Sequence, residues 1–168
     1  MGLGVGAAAL TWAALTPGAG RPAGSSRLYD AFLARLYGGQ VPTVQPQALA
    51  RELRQHPDSL VLLDTRTPAE YRVSHLRGAQ LLNYATYREQ QLAGMARHRP
   101  VVVYCSVGAR SQNVGEYLRQ LGFTDVRNLY GGLFEWVNEG HPVYNQAGPT
   151  DAVHPYNTLW GLALRRGR

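Results

Sequence analysis

The sequence predicts an α/β protein built on an open parallel sheet with helices on both faces. Two uninterrupted apolar runs, residues 60–63 (LVLL) and 101–104 (VVVY), read as strands buried on both sides. A strand exposed on one face would instead alternate apolar with polar residues. Segments with helical apolar spacing separate these runs, as over residues 111–121, where Val114, Leu118 and Leu121 share one face. Pro, Gly, Asp or Ser marks most changes of element, such as Pro57, Asp58 and Ser59 before LVLL. A chain of 168 residues, 45% of them hydrophobic, suits one domain with a real core and short extensions. A charged fraction of 17% lacks the signature of a disordered chain.

In chain order, residues 1–26 stand apart. Residues 3–15 (LGVGAAALTWAAL) are apolar and uncharged. The run is shorter than the roughly 20 residues of a membrane span but as long as a signal-peptide core, with small residues at Gly18, Ala19 and Gly20 behind it. No Arg precedes it, and Gly6 removes a myristoylation match at Gly2. The segment favours an exported, periplasmic or membrane-anchored protein over a cytoplasmic one, with residues 16–26 (TPGAGRPAGSS) as a linker. A helical lead-in follows over 27–40, with apolar residues at Leu28, Phe32, Leu33 and Leu36. Residues 41–44 read as a short strand, and Pro46 suits the first turn of a helix that continues over 48–55. After LVLL come a short helix over 68–74, a strand over 79–82 and a helix over 86–97. VVVY is the most β-biased run in the chain, and the 111–121 helix stops at Gly122. Val126–Leu129 is a further strand, and Gly131 and Gly132 turn the chain into a helix carrying Phe134 and Trp136. From Asn145 the chain is expected to loosen into an extension over 145–168, with a helix over 154–166 that packs Leu159, Trp160, Leu162 and Leu164 on the domain.

Composition removes several function classes. Cys105 is the one cysteine, which excludes an internal disulfide, a CxxC redox pair and a cysteine-rich zinc site. All 17 basic residues are Arg. A chain without lysine has no phosphate-binding P-loop, no Schiff-base chemistry and no kinase-type ATP site. His56, His98, His141 and His154 lack metal-ligand spacing, so neither a metal nor another cofactor is expected. The net charge of +6 is unevenly placed: 11 Arg stand against 9 acidic residues over 40–146, and most of the excess lies in the end segments, as at Arg165, Arg166 and Arg168. A near-neutral middle without a basic run does not predict nucleic acid as a partner.

In an open parallel sheet, ligands bind beyond the carboxyl ends of the strands. Cys105 follows VVVY directly, and Ser106, Val107, Gly108, Ala109, Arg110 and Ser111 lead into a helix. A short loop closing onto a helix N-terminus turns backbone N–H groups inward, and the helix dipole and Arg110 add positive potential. Such surroundings stabilise a thiolate and cradle an anion or a charged sulfur adduct. A lone Cys is more often a small buried hydrophobe. Its place at a strand end, with an Arg five residues on, sets Cys105 apart.

The run VVVYCSVGARS, followed by GEYLRQLGF, VRNLYGG and FEW, resembles the active-site half of a rhodanese domain. The stretch LLDTRTPAEYRVSHLRGAQLLN is similar to that family's other signature: Asp-x-Arg, a Glu-Tyr pair, then His-Leu-x-Gly-Ala. The resemblance covers residues 41–143, with both signatures in order, and places the domain at 41–144. It implies a three-layer α/β/α fold with a central five-stranded parallel sheet. It also implies a sulfurtransferase of the thiosulfate sulfurtransferase type, with a sulfane sulfur carried as a persulfide on the catalytic Cys105. Ser106, Val107, Gly108, Ala109, Arg110 and Ser111 would then bind substrate, with Asp64, Arg66 and Glu70 behind them. The implied partners are a small sulfur donor, thiosulfate or a persulfide, and a thiophilic acceptor such as a thiol, cyanide or a protein thiol. Contact with a membrane would come only through the N-terminal segment.

Two rival readings stand beside it. Four residues separate Cys105 from Arg110. The related phosphatase branch separates them by five, and Ser111 stands where its Arg would fall, with Tyr104 in place of the His that usually precedes its cysteine. A phosphatase or arsenate reductase is therefore the weaker alternative, after a non-catalytic or carrier-type module that binds a persulfide or a partner. Thiosulfate-specialised rhodaneses often carry basic residues directly after the cysteine, and an Arg where this chain has Glu70. Here Ser106 and Val107 follow Cys105, which leaves Arg110 and backbone amides as the expected anion contacts. Arg66 is expected to pair with Asp64 or with Glu70, and His75, Trp136 and the paired glycines to be structural.

Overall fold

The computed structural model describes residues 41–155 together with Ala31, Leu33, Arg35, Tyr37, Gly38 and Leu164. Its main strands are Thr43–Val44 (β1), Val61–Asp64 (β2), Gln80–Leu81 (β3), Val101–Tyr104 (β4) and Val126–Leu129 (β5). They form a five-stranded parallel sheet in the order β1-β5-β4-β2-β3. The helices are Pro46–Gln55 (α1), Pro68–Val73 (α2), Ala109–Gln120 (α3) and Gly132–Asn138 (α4).

The uninterrupted apolar runs follow from burial on both faces. Leu62, Val102 and Tyr104 point to one side, where they pack with Leu49 of α1 and Leu133, Phe134 and Val137 of α4. Their neighbours Val61, Leu63, Val101 and Val103 point to the other, against Val114 and Leu118 of α3 and Phe123. Successive side chains of a strand alternate in this way, so only a strand covered twice is apolar throughout. Each fully buried Val or Leu contributes about 1.5–3 kcal/mol.

β4 lies between β2 and β5, and chain connections leave this centre in opposite directions, to β3 on one side and β5 on the other. That is a switch point, where the carboxyl ends of a parallel sheet open a crevice. Cys105 is the first residue beyond β4 there.

Two expectations need correction. The helix expected over 86–97 is only a 3-10 turn, Glu89–Leu92. Leu92 is the one buried residue of that stretch, so no apolar stripe rewards a longer helix, and Gly94 turns the backbone at φ +81°. Nor does the chain loosen at Asn145. Val143–Asn145 (β6) and Gly148–Thr150 (β7) form an antiparallel hairpin. Its turn is closed by Asn145, whose Oδ1 accepts from Ala147 N at 2.9 Å, and by Gly148 at φ +127°. His75 and Tyr144 exchange backbone hydrogen bonds of 2.8 and 2.9 Å and tie the hairpin to the domain.

Ala31, Leu33, Arg35 and Tyr37 are helical, and Leu33 and Tyr37 are buried in the first cluster. Residues 1–26 lie outside the described residues, as does most of the helix expected over 154–166. Of that helix His154, Pro155 and Leu164 are described; none is in regular structure, and Leu164 is buried. Among the described residues, no helix is long and apolar enough to cross a membrane.

Candidate active site

Cys105 is buried, and its Sγ accepts a hydrogen bond from Gly108 N at 3.1 Å. The loop owes this arrangement to its carbonyls, each of which is held from outside. Leu133 N at the start of α4 donates to Cys105 O at 2.8 Å, and Phe134 N donates to Ser106 O at 3.0 Å. The Tyr37 hydroxyl donates to Val107 O at 2.9 Å. Gly108 O accepts from Gln112 N, Ser111 Oγ and Asn128 Nδ2 at 3.1, 3.1 and 2.9 Å. In a trans peptide the N–H points opposite to the C=O. Carbonyls turned outward therefore aim the amides of Ser106, Val107, Gly108 and Ala109 the other way, and the Gly108 amide meets the sulfur, which the Arg110 side chain also reaches. The first amides of α3 have no intrahelical partner and add to this positive field.

Two glycines make the close approach. Gly132 has φ +58°, and a side chain there would collide with the Cys105 carbonyl, so α4 could not dock its amides on the loop. Gly108 has φ +99°, and a Cβ there would lie 2.5 Å from the Tyr37 ring.

Glu70, from the first turn of α2, joins the loop directly. Its carboxylate accepts from Arg110 Nη2 at 2.8 Å and Nη1 at 3.1 Å, and from Ser106 Oγ at 3.0 Å. It also accepts from Thr67 N at 2.9 Å and Thr67 Oγ1 at 2.8 Å, which closes the capping box of α2. Burial would raise the Glu70 carboxyl, but the Arg110 guanidinium and the Thr67 donors outweigh it and hold it at about 2. The Arg110 guanidinium is held firmly protonated: burial opposes its charge, and Glu70 and Cys105 favour it.

Asp64 and Arg66 form a separate pair at the end of β2. Arg66 Nη2 lies 2.7 Å from Asp64 Oδ2 and Nε 3.0 Å from Oδ1, with both side chains fully buried. Arg66 Nη2 also donates to Ser74 O. Of the two partners expected for Arg66, Asp64 is the one it takes. The Tyr104 hydroxyl accepts from Leu76 N at 3.1 Å, and burial pushes its pKa up. His75 stacks on Tyr71 at 4.0 Å, away from the loop contacts described above.

Of the loop residues, Ser106 and Arg110 thus meet Glu70, while Asp64 and Arg66 pair with each other, the guanidinium 5.9 Å from the Tyr104 ring. The two serines turn away from sulfur in different directions. Ser106 Oγ bridges Glu70 and Arg110, and Ser111 Oγ donates to Gly108 O and Asn128 Oδ1. Val107 packs its side chain in the core and offers the site only its backbone. Tyr37 and Asn128 escaped the reading of the sequence. Nothing local marks Tyr37, which reaches the loop across 70 residues. Asn128 did carry a signal, as a polar residue inside the buried strand β5.

A parallel α/β domain that presents one cysteine in an amide-lined loop at its switch point is the class these observations define. The chain belongs to the rhodanese-like domain family, whose pattern matches residues 46–139. It is 33% identical over 108 residues to a protein named sulfurtransferase from Allochromatium vinosum, covering 64% of this chain and 99% of that one. It is 35% identical over 96 residues to the probable adenylyltransferase/sulfurtransferase MoeZ of Mycobacterium tuberculosis, covering 55% of this chain. The match spans only 24% of the length of MoeZ. A tRNA uridine(34) hydroxylase from Pectobacterium carotovorum is 29% identical over 111 residues, 58% of this chain and 31% of that protein. Among solved structures, the polysulfide-sulfur transferase homodimer of Wolinella succinogenes superposes with a TM-score of 0.55 at 26% identity, covering 72% of this chain and 92% of that one.

Proposed function

We propose that the chain is a sulfurtransferase that carries a sulfane sulfur on Cys105. The observation that carries this reading is the Gly108 amide on Cys105 Sγ, in a loop whose carbonyls are all tied back. Inward amides stabilise a thiolate and then the negative sulfur of a persulfide, as an oxyanion hole does for oxygen. The Cys105 thiolate attacks the outer sulfur of a donor, the donor's S–S bond breaks, and its electron pair leaves with sulfite or a thiolate. A thiol, cyanide or protein thiol then attacks the outer sulfur and Cys105 leaves as a thiolate. Four residues between Cys105 and Arg110 make a small ring suited to one sulfur atom rather than a phosphate group.

Intact mass after exposure to sulfane donors tests the reading. The folded protein should gain one sulfur atom, and Cys105→Ser should gain none. A carrier-type module would load but fail to turn over with thiol or cyanide. Failure of every donor to load Cys105 refutes the proposal, and phosphate-ester hydrolysis dependent on Cys105 would replace it.

A further inference from the structure

Arg110 is the cationic side chain that the loop itself supplies, and it is already engaged. Its guanidinium lies fork to fork on Glu70, at 2.8 and 3.1 Å, with 19% of the Arg110 side chain and 2% of the Glu70 side chain exposed. Ser106, directly after Cys105, hydrogen-bonds to both partners and locks the pair against the loop. One positive and one negative side chain therefore cancel beside the sulfur. The Arg110 guanidinium still reaches Cys105, but with Glu70 it forms a pair without net charge, so further attraction for an incoming anion rests on neutral amides and on the α3 dipole, worth about half a charge.

This balance treats two kinds of donor differently. Thiosulfate is a dianion and brings both charges toward a buried carboxylate. An organic persulfide offers the same sulfane sulfur with one charge or none. We propose that Glu70 is a specificity-determining residue, and that its pair with Arg110 selects organic persulfides over thiosulfate as donors. The inference rests on the sulfurtransferase reading above and names the substrate class of that site. The loading step balances without a further reactant. The Cys105 thiolate bonds to the outer sulfur of R–S–SH, the donor S–S bond breaks, RS⁻ leaves with the electron pair, and the outer sulfur keeps its proton.

Glu70→Gln removes the charge but keeps the side-chain shape and one acceptor oxygen. Loading of Cys105 in the full chain, followed by intact mass after rapid quench against donor concentration, separates donor affinity from limiting rate. The donors are thiosulfate and the persulfide of 2-mercaptoethanol. Glu70→Gln should raise the ratio of thiosulfate to persulfide loading efficiency about tenfold, the equivalent of about 1.4 kcal/mol, chiefly through affinity for thiosulfate. An equal change for both donors overturns the inference. A measurement on the unaltered protein holds even if that variant fails to fold. Between about 0.05 and about 0.5 M salt, thiosulfate loading should change less than about threefold, because a neutralised pair leaves little charge to screen. A steep fall with salt would reveal an unopposed Arg110 and overturn it. If neither donor loads the unaltered protein, the sulfurtransferase reading falls, and this inference with it. If both load without discrimination, only this inference falls.

Discussion

Replacing Tyr37 by Phe tests how far the active-site loop depends on chain outside the matched family pattern. The substitution leaves the ring, with its edge contact to Tyr130 at 6.1 Å, and deletes one hydroxyl. That hydroxyl donates to Val107 O at 2.9 Å and accepts from Gly131 N at 2.8 Å, both buried contacts. Leaving a buried polar group unsatisfied costs about 1–3 kcal/mol, and two are affected with partial relaxation, so the expected loss is about 2–4 kcal/mol. For a chain of this size that lowers Tm by about 5–15 °C. The functional effect follows from the peptide plane. Val107 C=O and Gly108 N–H belong to one unit, so a freed carbonyl lets the amide turn off Cys105 Sγ. Sulfur loading at a temperature where the variant is folded should slow by about tenfold, less than the full loss of an oxyanion-hole donor. Calorimetry and the intact-mass loading rate are the assays. A Tm within about 2 °C of the unaltered protein, together with normal loading, would mean that Tyr37 only fills space and would refute the reasoning.

Other perturbations probe the rest of the site. Gly132→Ala should cost well over 2 kcal/mol in urea unfolding, roughly the upper range for backbone strain, because its Cβ meets the Cys105 carbonyl. Gly94→Ala, also at positive φ but in open space, should cost only about 1 kcal/mol by the same measurement. Arg66→Met strands the Asp64 carboxylate in a fully buried place and should destabilise by about 3–5 kcal/mol, with part recovered when Asp64→Asn is added. Glu70 has a folded value of about 2 against an ordinary 4.5, so its charge adds stability above about pH 4.5 and loses it as the pH falls toward 2. Acid unfolding of Glu70→Gln should therefore depend less steeply on pH in that window, and an unchanged slope would contradict the pairing with Arg110.

Local pattern carried much of the fold. VVVY and VRNL are strands where the spacing places them, and α3 begins within two residues of the expected start. The one misplaced helix, over 86–97, has good helix formers in Gln90, Gln91 and Leu92, yet only Leu92 reaches the core. Propensity without a buried stripe did not suffice there. The hairpin around Asn145 was not legible because its strands are three residues each and depend on Tyr144 meeting His75 across the chain.

The sequence by itself determined that Cys105 follows a doubly buried strand, that Arg110 stands five residues further along the loop, and that no second thiol or lysine competes. Those properties are local: alternation, spacing and residue type decide them. Only the tertiary structure decided how the loop is held and how it is charged. Tyr37, Asn128 and the amides of α4 come from distant segments to tie back its carbonyls, and Glu70 arrives from 40 residues away to take Arg110. An ion pair or a carbonyl's partner depends on which elements the packed sheet brings together, and no spacing along one chain encodes that meeting.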